Sequence, residues 1–212
     1  MNLGNVLIFG DSYSTFEGYI PEGYNIYYRT DRGDTDVRAV TETWWHQLIK
    51  ETESNLVLND SWSGSTVCNT GWGGADCSKT SSFNYRLNKY ISNGFFNENK
   101  IDTVFVFGAT NDSWINVPLG ELKFSDFEEK ELFSFLPAVC CFLKNLRETL
   151  PDARIVYIVN SGLQRAFEEG IKEASGKYGI QTIEVGNIDK ECGHPTVKGM
   201  AEIKDVILKE IK

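Results

Sequence analysis

Five stretches of the chain are apolar on consecutive positions: NVLIFG (5–10), NLVLND (55–60), IDTVFVFG (101–108), ARIVYIV (153–159) and GIQTIEV (179–185). Strands covered on both faces read this way, because neither set of alternating side chains meets water. The segments between them change to a helical period. TETWWHQLIKET (41–52) places Trp44, Trp45 and Leu48 on one side, and SSFNYRLNKYIS (81–92) opens on serine with Phe83, Leu87 and Tyr90 spaced by four and three. Ser125-Asp126-Phe127-Glu128 has the form of a capping box. It predicts a helix opening there and running through Val139, Phe142, Leu143, Leu146 and Leu150, with Pro137 in a first turn or at a kink. The last helix is expected to begin at His194-Pro195, proline suiting the first helical position, and to continue through Val197, Met200, Ile203 and Ile207.

Strands alternating with helices imply right-handed crossovers and a parallel sheet covered on both faces. The expected architecture is a single α/β domain over residues 1–212, a three-layer α/β/α sandwich with a five-stranded parallel sheet. Two long loops break the pattern, at 13–40 and 108–124. Both leave the carboxyl ends of strands, where open parallel sheets bind their ligands.

Composition narrows the function. With 21 basic against 30 acidic residues the chain carries a net charge of −9 and has no basic stripe, which argues against a nucleic-acid partner. No apolar run approaches the roughly 20 residues that span a bilayer, and the chain enters its first strand at once, so no membrane association and a cytoplasmic location are expected, with secretion the alternative if a leader was removed. The five cysteines, Cys68, Cys77, Cys140, Cys141 and Cys192, lack zinc spacing and read as free thiols, Cys68 with Cys77 being the pair to check. Asp34, Asp36, Asp60, Asp76 and Asp112 do not make a calcium loop. TGWGGAD (70–76) lacks both the P-loop lysine and the dinucleotide fingerprint. No metal or cofactor is expected.

Ser12 follows the first strand directly. A lone serine there is usually a turn or helix cap, but one of only two histidines, His194, also lies just past the last strand, with Asp189 and Glu191 before it. A serine hydroxyl needs a base to become a nucleophile, and the base needs a partner to fix its tautomer. Acyl transfer also needs donors aimed at the developing oxyanion, and Ser61-Trp62-Ser63-Gly64-Ser65 and Gly108-Ala109-Thr110-Asn111-Asp112 offer them after the second and third strands. His46, beside Trp44 and Trp45, reads as a packing histidine, and Asp11 as a brace for the loop.

Four blocks in order, FGDSYS (9–14), NDSWSGSTV (59–67), FGATNDSW (107–114) and GHPTVKGM (193–200), resemble the signature blocks of the SGNH, or GDSL-type, esterases and acylhydrolases. The resemblance covers nearly the whole chain and implies a flavodoxin-like fold. It further implies Ser12 as nucleophile, His194 as general base, and an oxyanion hole made of the Ser12 and Gly64 amides and the Asn111 side chain. Three departures stand out: Tyr13 replaces the usual leucine, Ala109-Thr110 lengthens the third block, and Glu191 stands where the family usually has aspartate. The acid is therefore open between Glu191, Asp189 and neither, the last being a Ser-His dyad oriented by a backbone carbonyl.

Tyr13, Phe16, Tyr19, Tyr24, Tyr27 and Tyr28 in the first loop, with Trp62, Trp72 and Trp114 beside the other blocks, could cover the sheet end or face a substrate. Trp62 and Trp114 are the candidate substrate contacts. The expected function is a serine ester hydrolase acting through an acyl-enzyme on a small or carbohydrate-linked ester. The alternatives are a catalytically silent glycan-binding module and an acyltransferase using the same residues.

Overall fold

Because the apolar runs are continuous, the strands call for cover on both faces; the three central ones have it, and the two edge strands have it in part. The computed structural model describes residues 1–211. Its parallel sheet orders β1 (Asn5–Gly10), β2 (Asn55–Ser61), β3 (Thr103–Phe107), β4 (Arg154–Val159) and β5 (Gln181–Glu184) as β2-β1-β3-β4-β5. Leu7, Phe9, Val104, Val106, Ile155 and Tyr157 point to one face, beneath α2 (Phe83–Ser92), α5 (Phe135–Thr149) and α6 (Arg165–Lys177). Val6, Ile8, Phe105, Phe107, Val156 and Ile158 point to the other, beneath α1 (Trp44–Glu51) and α7 (Val197–Glu210). Each side chain so buried contributes about 1.5–3 kcal/mol. Two short helices, α3 (Phe95–Glu98) and α4 (Thr110–Trp114), complete the set, so the predicted loop at 108–124 holds a helix at its start.

The strand order reverses direction between β1 and β3, which opens a crevice at their carboxyl ends. Ser12 leaves β1 and Asn111 leaves β3 into that crevice.

Two helix starts differ from expectation. The stretch 125–128 does not open a helix: Asp126 is left-handed at φ 54°, and the Ser125 hydroxyl bonds to the Asp126 carboxylate. Glu131 instead accepts the Glu128 amide at 2.7 Å and closes a 3-10 turn over Glu129–Phe133, after which α5 begins with Pro137 in its first turn. Nor does the last helix begin at His194-Pro195. Thr196 caps α7 by accepting the Gly199 amide at 3.1 Å, and His194-Pro195 pairs antiparallel with Lys190-Glu191. The five cysteines are free, so Cys68 and Cys77 do not pair. Among the described residues no helix is long and apolar enough to cross a membrane.

One charged side chain sits in the middle of this framework. Arg86 on α2 and Asp60 at the end of β2 are both fully buried and ion-paired. The guanidinium also donates to the Asp60 carbonyl, to the Gly10 carbonyl at 3.2 Å and to Ser65 Oγ at 3.3 Å, while the Tyr90 hydroxyl donates to Asp60 at 2.9 Å. Removing one partner of such a pair strands the other charge in the interior. Arg86→Met is expected to destabilise the fold by about 3–5 kcal/mol, read as a lowered midpoint of chemical denaturation; a loss below about 1 kcal/mol would show that Asp60 is not held by Arg86.

Candidate active site

The turn that carries Ser12 begins at Gly10, where a side chain has no room. A Cβ there would run into the Ser61 hydroxyl and lie 2.7 Å from Ser14 Cβ. The chain then tightens into a 3-10 turn over Ser12–Ser14, capped by Asp11, whose Oδ1 accepts the Tyr13 amide at 3.1 Å. Thr15 links the turn to the first loop: its hydroxyl donates to the Ser12 carbonyl at 3.1 Å and accepts the Tyr27 amide at 2.9 Å. Asp11 is fully buried, and its Oδ2 has no hydrogen-bond partner. Burial, with a smaller push from the Asp112 charge, raises its carboxyl to about 7 against the restraint of the Tyr13 amide. It is a brace for the loop, as expected.

Gly64 lies in the turn after β2 with φ 82°, a conformation that glycine adopts without cost. Among the described residues neither its amide nor that of Ser12 has a hydrogen-bond acceptor. Asn111, in the first turn of α4, donates from Nδ2 to the Ser65 carbonyl at 2.9 Å and accepts the Trp72 indole N–H on Oδ1 at 3.2 Å. Those two bonds fix the amide's orientation and leave one N–H of Nδ2 to spare. The extra residue of this block is absorbed by Ala109, left-handed at φ 74°. Asp112 is fully buried beneath, accepting the Val67 amide at 2.9 Å and the Cys68 amide at 3.1 Å. Burial still raises its carboxyl to about 6.

His194 arrives from the far end of the chain on a tight hairpin. Glu191 pairs with His194 across a two-residue turn, Cys192 at φ 48° and Gly193 at φ 79°, both positive as a type I′ turn requires. His194 Nε2 lies 3.0 Å from Ser12 Oγ, and Nδ1 lies 3.2 Å from the Cys192 carbonyl oxygen. A carbonyl can only accept, so Nδ1 carries the proton and Nε2 is free to accept the serine hydroxyl. Burial pulls the imidazole down to about 4; the carbonyl of Cys192 and the charge of Asp34 push up, Arg32 and Lys190 push down. The ring is neutral at pH 7.

The structure brings neither acid to that ring. Glu191 is exposed, and Asp189 turns to the amino end of α7, where its carboxylate accepts the Thr196 hydroxyl and its charge suits the helix dipole. Of the three arrangements open in the sequence, the geometry is the one in which a backbone carbonyl faces the imidazole. No sequence signal could have chosen it, since every residue has a carbonyl.

Aromatic rings line the approach. Tyr27 stacks on His194 with centroids 3.5 Å apart and planes at 8°. Arg32 lies 3.8 Å from the Tyr27 centroid and so must cover its other face. Trp114, 44% exposed, stands edge-on to His194 at 5.7 Å. Trp72, 53% exposed, sits over Asn111 and Gly64, whereas Trp62, like Trp114 a candidate contact, is half-buried and packs on Tyr24 at 4.1 Å rather than on His194. Trp72 and Tyr27 belong to the site although neither was a candidate contact, the first because its glycine-rich loop carried no motif. His46 is elsewhere, half-buried on α1 among Thr41, Gln47, Lys50 and Glu51. Among the described residues no three metal-ligating side chains cluster.

The chain matches the family model of the GDSL-like lipases/acylhydrolases over residues 4–211. A protein described as a GDSL-like lipase from Bacteroides ovatus is 40% identical, with a TM-score of 0.91 over 99% of this chain and 98% of its own. Its counterpart from Bacteroides uniformis is 38% identical, with a TM-score of 0.90 over 98% and 95%. A family two carbohydrate esterase from Clostridium thermocellum, solved with cellohexaose, is 16% identical with a TM-score of 0.67 over 100% of this chain and 65% of its own, a likeness of fold alone. No curated protein matches in sequence. The order of its strands, the residues gathered at their carboxyl ends and these matches together place this hydrolase in the GDSL-like lipase/acylhydrolase family.

Proposed function

We propose that the protein is a serine esterase that cleaves small or carbohydrate-linked esters through an acyl-enzyme on Ser12. The observation that carries this reading is the single line of contacts from Ser12 Oγ to His194 Nε2 at 3.0 Å and from Nδ1 to the Cys192 carbonyl at 3.2 Å. Ser12 Oγ attacks the ester carbonyl while its proton passes to Nε2. The carbonyl electron pair moves onto oxygen, where the Ser12 and Gly64 amides and the spare N–H of Asn111 receive it. Collapse of the tetrahedral adduct breaks the bond to the alcohol, which leaves with the proton from Nε2. A water molecule then repeats the sequence, giving its proton to Nε2, and the acid departs from a regenerated serine.

Two features support a carbohydrate-linked substrate. The rim of the cleft presents flat aromatic faces, Trp72 and Trp114 among them, which suit the apolar face of a sugar ring. The acidic chain, at −9, is also a poor host for a polyanion.

Ser12→Ala and His194→Ala are expected to lower kcat on p-nitrophenyl acetate by at least about 10³-fold without unfolding the protein; turnover retained by Ser12→Ala would remove the proposal. Glu191→Gln is expected to change kcat by less than about 3-fold, against the loss of about 10⁴ when an orienting carboxylate is neutralised. A large loss would make Glu191 the acid after all.

The pH dependence follows from the histidine. The active form is neutral imidazole, which persists as pH falls until the ring's own pKa is reached, so kcat/KM should show no loss between pH 7 and 5 and fall near pH 4. A limb near the ordinary 6.5 would mean that His194 is not desolvated as described.

A further inference from the structure

A backbone carbonyl can fix the tautomer of a histidine, but it moves with its loop. The hairpin at 190–195 has only two residue pairs and places a cysteine in left-handed backbone, where a branched or Cβ-bearing residue is strained. On its own such a ribbon would not hold an imidazole in register. What holds it comes from other parts of the chain.

The two peptide carbonyls on either side of His194 each accept a hydrogen bond from a buried tyrosine. Tyr13 Oη donates to the Gly193 carbonyl, and Tyr28 Oη donates to the Pro195 carbonyl at 2.8 Å. Both tyrosines are fully buried. Tyr13 is the residue after Ser12, and its ring packs edge-on against Phe107 at the end of β3 at 5.6 Å. Tyr28 comes from the first loop, which is tied back to the Ser12 turn through Thr15 and by the Glu17 amide on the Tyr28 carbonyl at 3.1 Å. The ring of Tyr27 then lies flat on the imidazole itself. The serine turn and the histidine hairpin, 182 residues apart, are thus fastened to each other by the hydroxyls of Tyr13 and Tyr28, which bond to backbone carbonyls and to neither Ser12 Oγ nor the imidazole nitrogens.

We propose that Tyr13 and Tyr28 are positioning residues that clamp the backbone on both sides of His194 and so give the imidazole the fixed orientation that no carboxylate in this site provides. This deepens the esterase reading, on which its catalytic consequence rests. Without either hydroxyl the hairpin relaxes, Nδ1 loses its alignment with the Cys192 carbonyl, and the tautomer with the proton on Nε2 becomes populated. That tautomer cannot accept the serine proton.

The test uses Tyr13→Phe and Tyr28→Phe, each of which removes one oxygen and keeps the ring. Tyr178→Phe is the control: its hydroxyl also donates to a backbone carbonyl, that of Phe124 at 3.0 Å, away from the site. The chain has two histidines, so the ring nitrogens of His194 can be assigned by ¹⁵N NMR against His194→Gln. The wild type is expected to show the form protonated on Nδ1. Both clamp variants are expected to move toward a mixture of tautomers and to lose between about 10- and 100-fold in kcat with KM changed by less than about 2-fold, since misplacement by an ångström costs that much. Tyr178→Phe should change neither. A fall in kcat with the tautomer unmoved, or no change in either, would overturn the clamp. If the tautomer moves but no ester is turned over by the wild type, the clamp stands and the esterase reading falls.

Discussion

The cleft exists because a parallel sheet ends in carbonyl groups that need partners, and one arginine supplies them where the most chains meet. The Gly10 carbonyl ends β1, Asp60 lies near the end of β2, and Ser65 belongs to the turn that carries Gly64; the Arg86 guanidinium donates to all three. The Gly10 carbonyl also accepts the Trp62 amide at 3.1 Å, so the same oxygen ties β1 to the turn after β2. A guanidinium is suited to this because its five N–H groups lie in a fixed plane, whereas an ammonium would hold a single point. The cost of burying a charge is offset only if each donor finds an acceptor, and here the acceptors are the strand ends whose separation sets the distance between the Ser12 and Gly64 amides.

Two further carboxylates are buried without serving as bases. Strongly shifted carboxyl groups in a cleft often mark catalysis, but Asp112 spends its oxygens on the Val67 and Cys68 amides, and Asp11 on the Tyr13 amide. Their raised pKa values have a consequence for the chemistry above them. In the proposed reaction a full negative charge beside Ser12 would oppose the oxyanion, and a carboxyl pushed up to about 7 carries that charge only part of the time at neutral pH. Burial so deep that Asp11 Oδ2 lacks a partner therefore reduces the electrostatic penalty at the reacting carbonyl.

The sheet was legible in the sequence to within two residues at each strand end, because burial on both faces leaves an unbroken apolar run that few other structures produce. Ser12, Gly64, Asn111 and His194 were legible because each sits in a motif just past a strand, and the topology brings Ser12 and His194 to 3.0 Å. What could not be read is whatever depends on the backbone. The start of the last helix was displaced because Pro195 fits a helix entrance as well as a strand, and only the pairing of 190–191 with 194–195 decides between them. The false capping box at 125–128 has the right letters, but the box that forms is three residues later, where the Glu131 carboxylate accepts the Glu128 amide at 2.7 Å. Tyr13 packs on Phe107 at the sheet end, one of the two uses its sequence position allowed, but its hydroxyl has a purpose only once the hairpin lies over it.

A histidine oriented by a carbonyl differs from one oriented by a carboxylate in where the work of catalysis falls. A carboxylate both aligns the ring and stabilises the imidazolium that forms as the serine proton arrives; a carbonyl aligns the ring and contributes only a dipole. The imidazole here is pulled to about 4, so at pH 7 it is in the accepting form but accepts weakly. Part of the missing stabilisation is available from the face of Tyr27, stacked at 3.5 Å, although Arg32 behind that ring opposes it. The remainder has to come from the other charge in the transition state, the oxyanion, where each well-placed donor contributes about 2.7–4 kcal/mol. The proposed reaction divides the work in that way. The Ser12 and Gly64 amides stand past strand ends tied together by Arg86, and the Asn111 side chain is locked on both sides by Ser65 and Trp72.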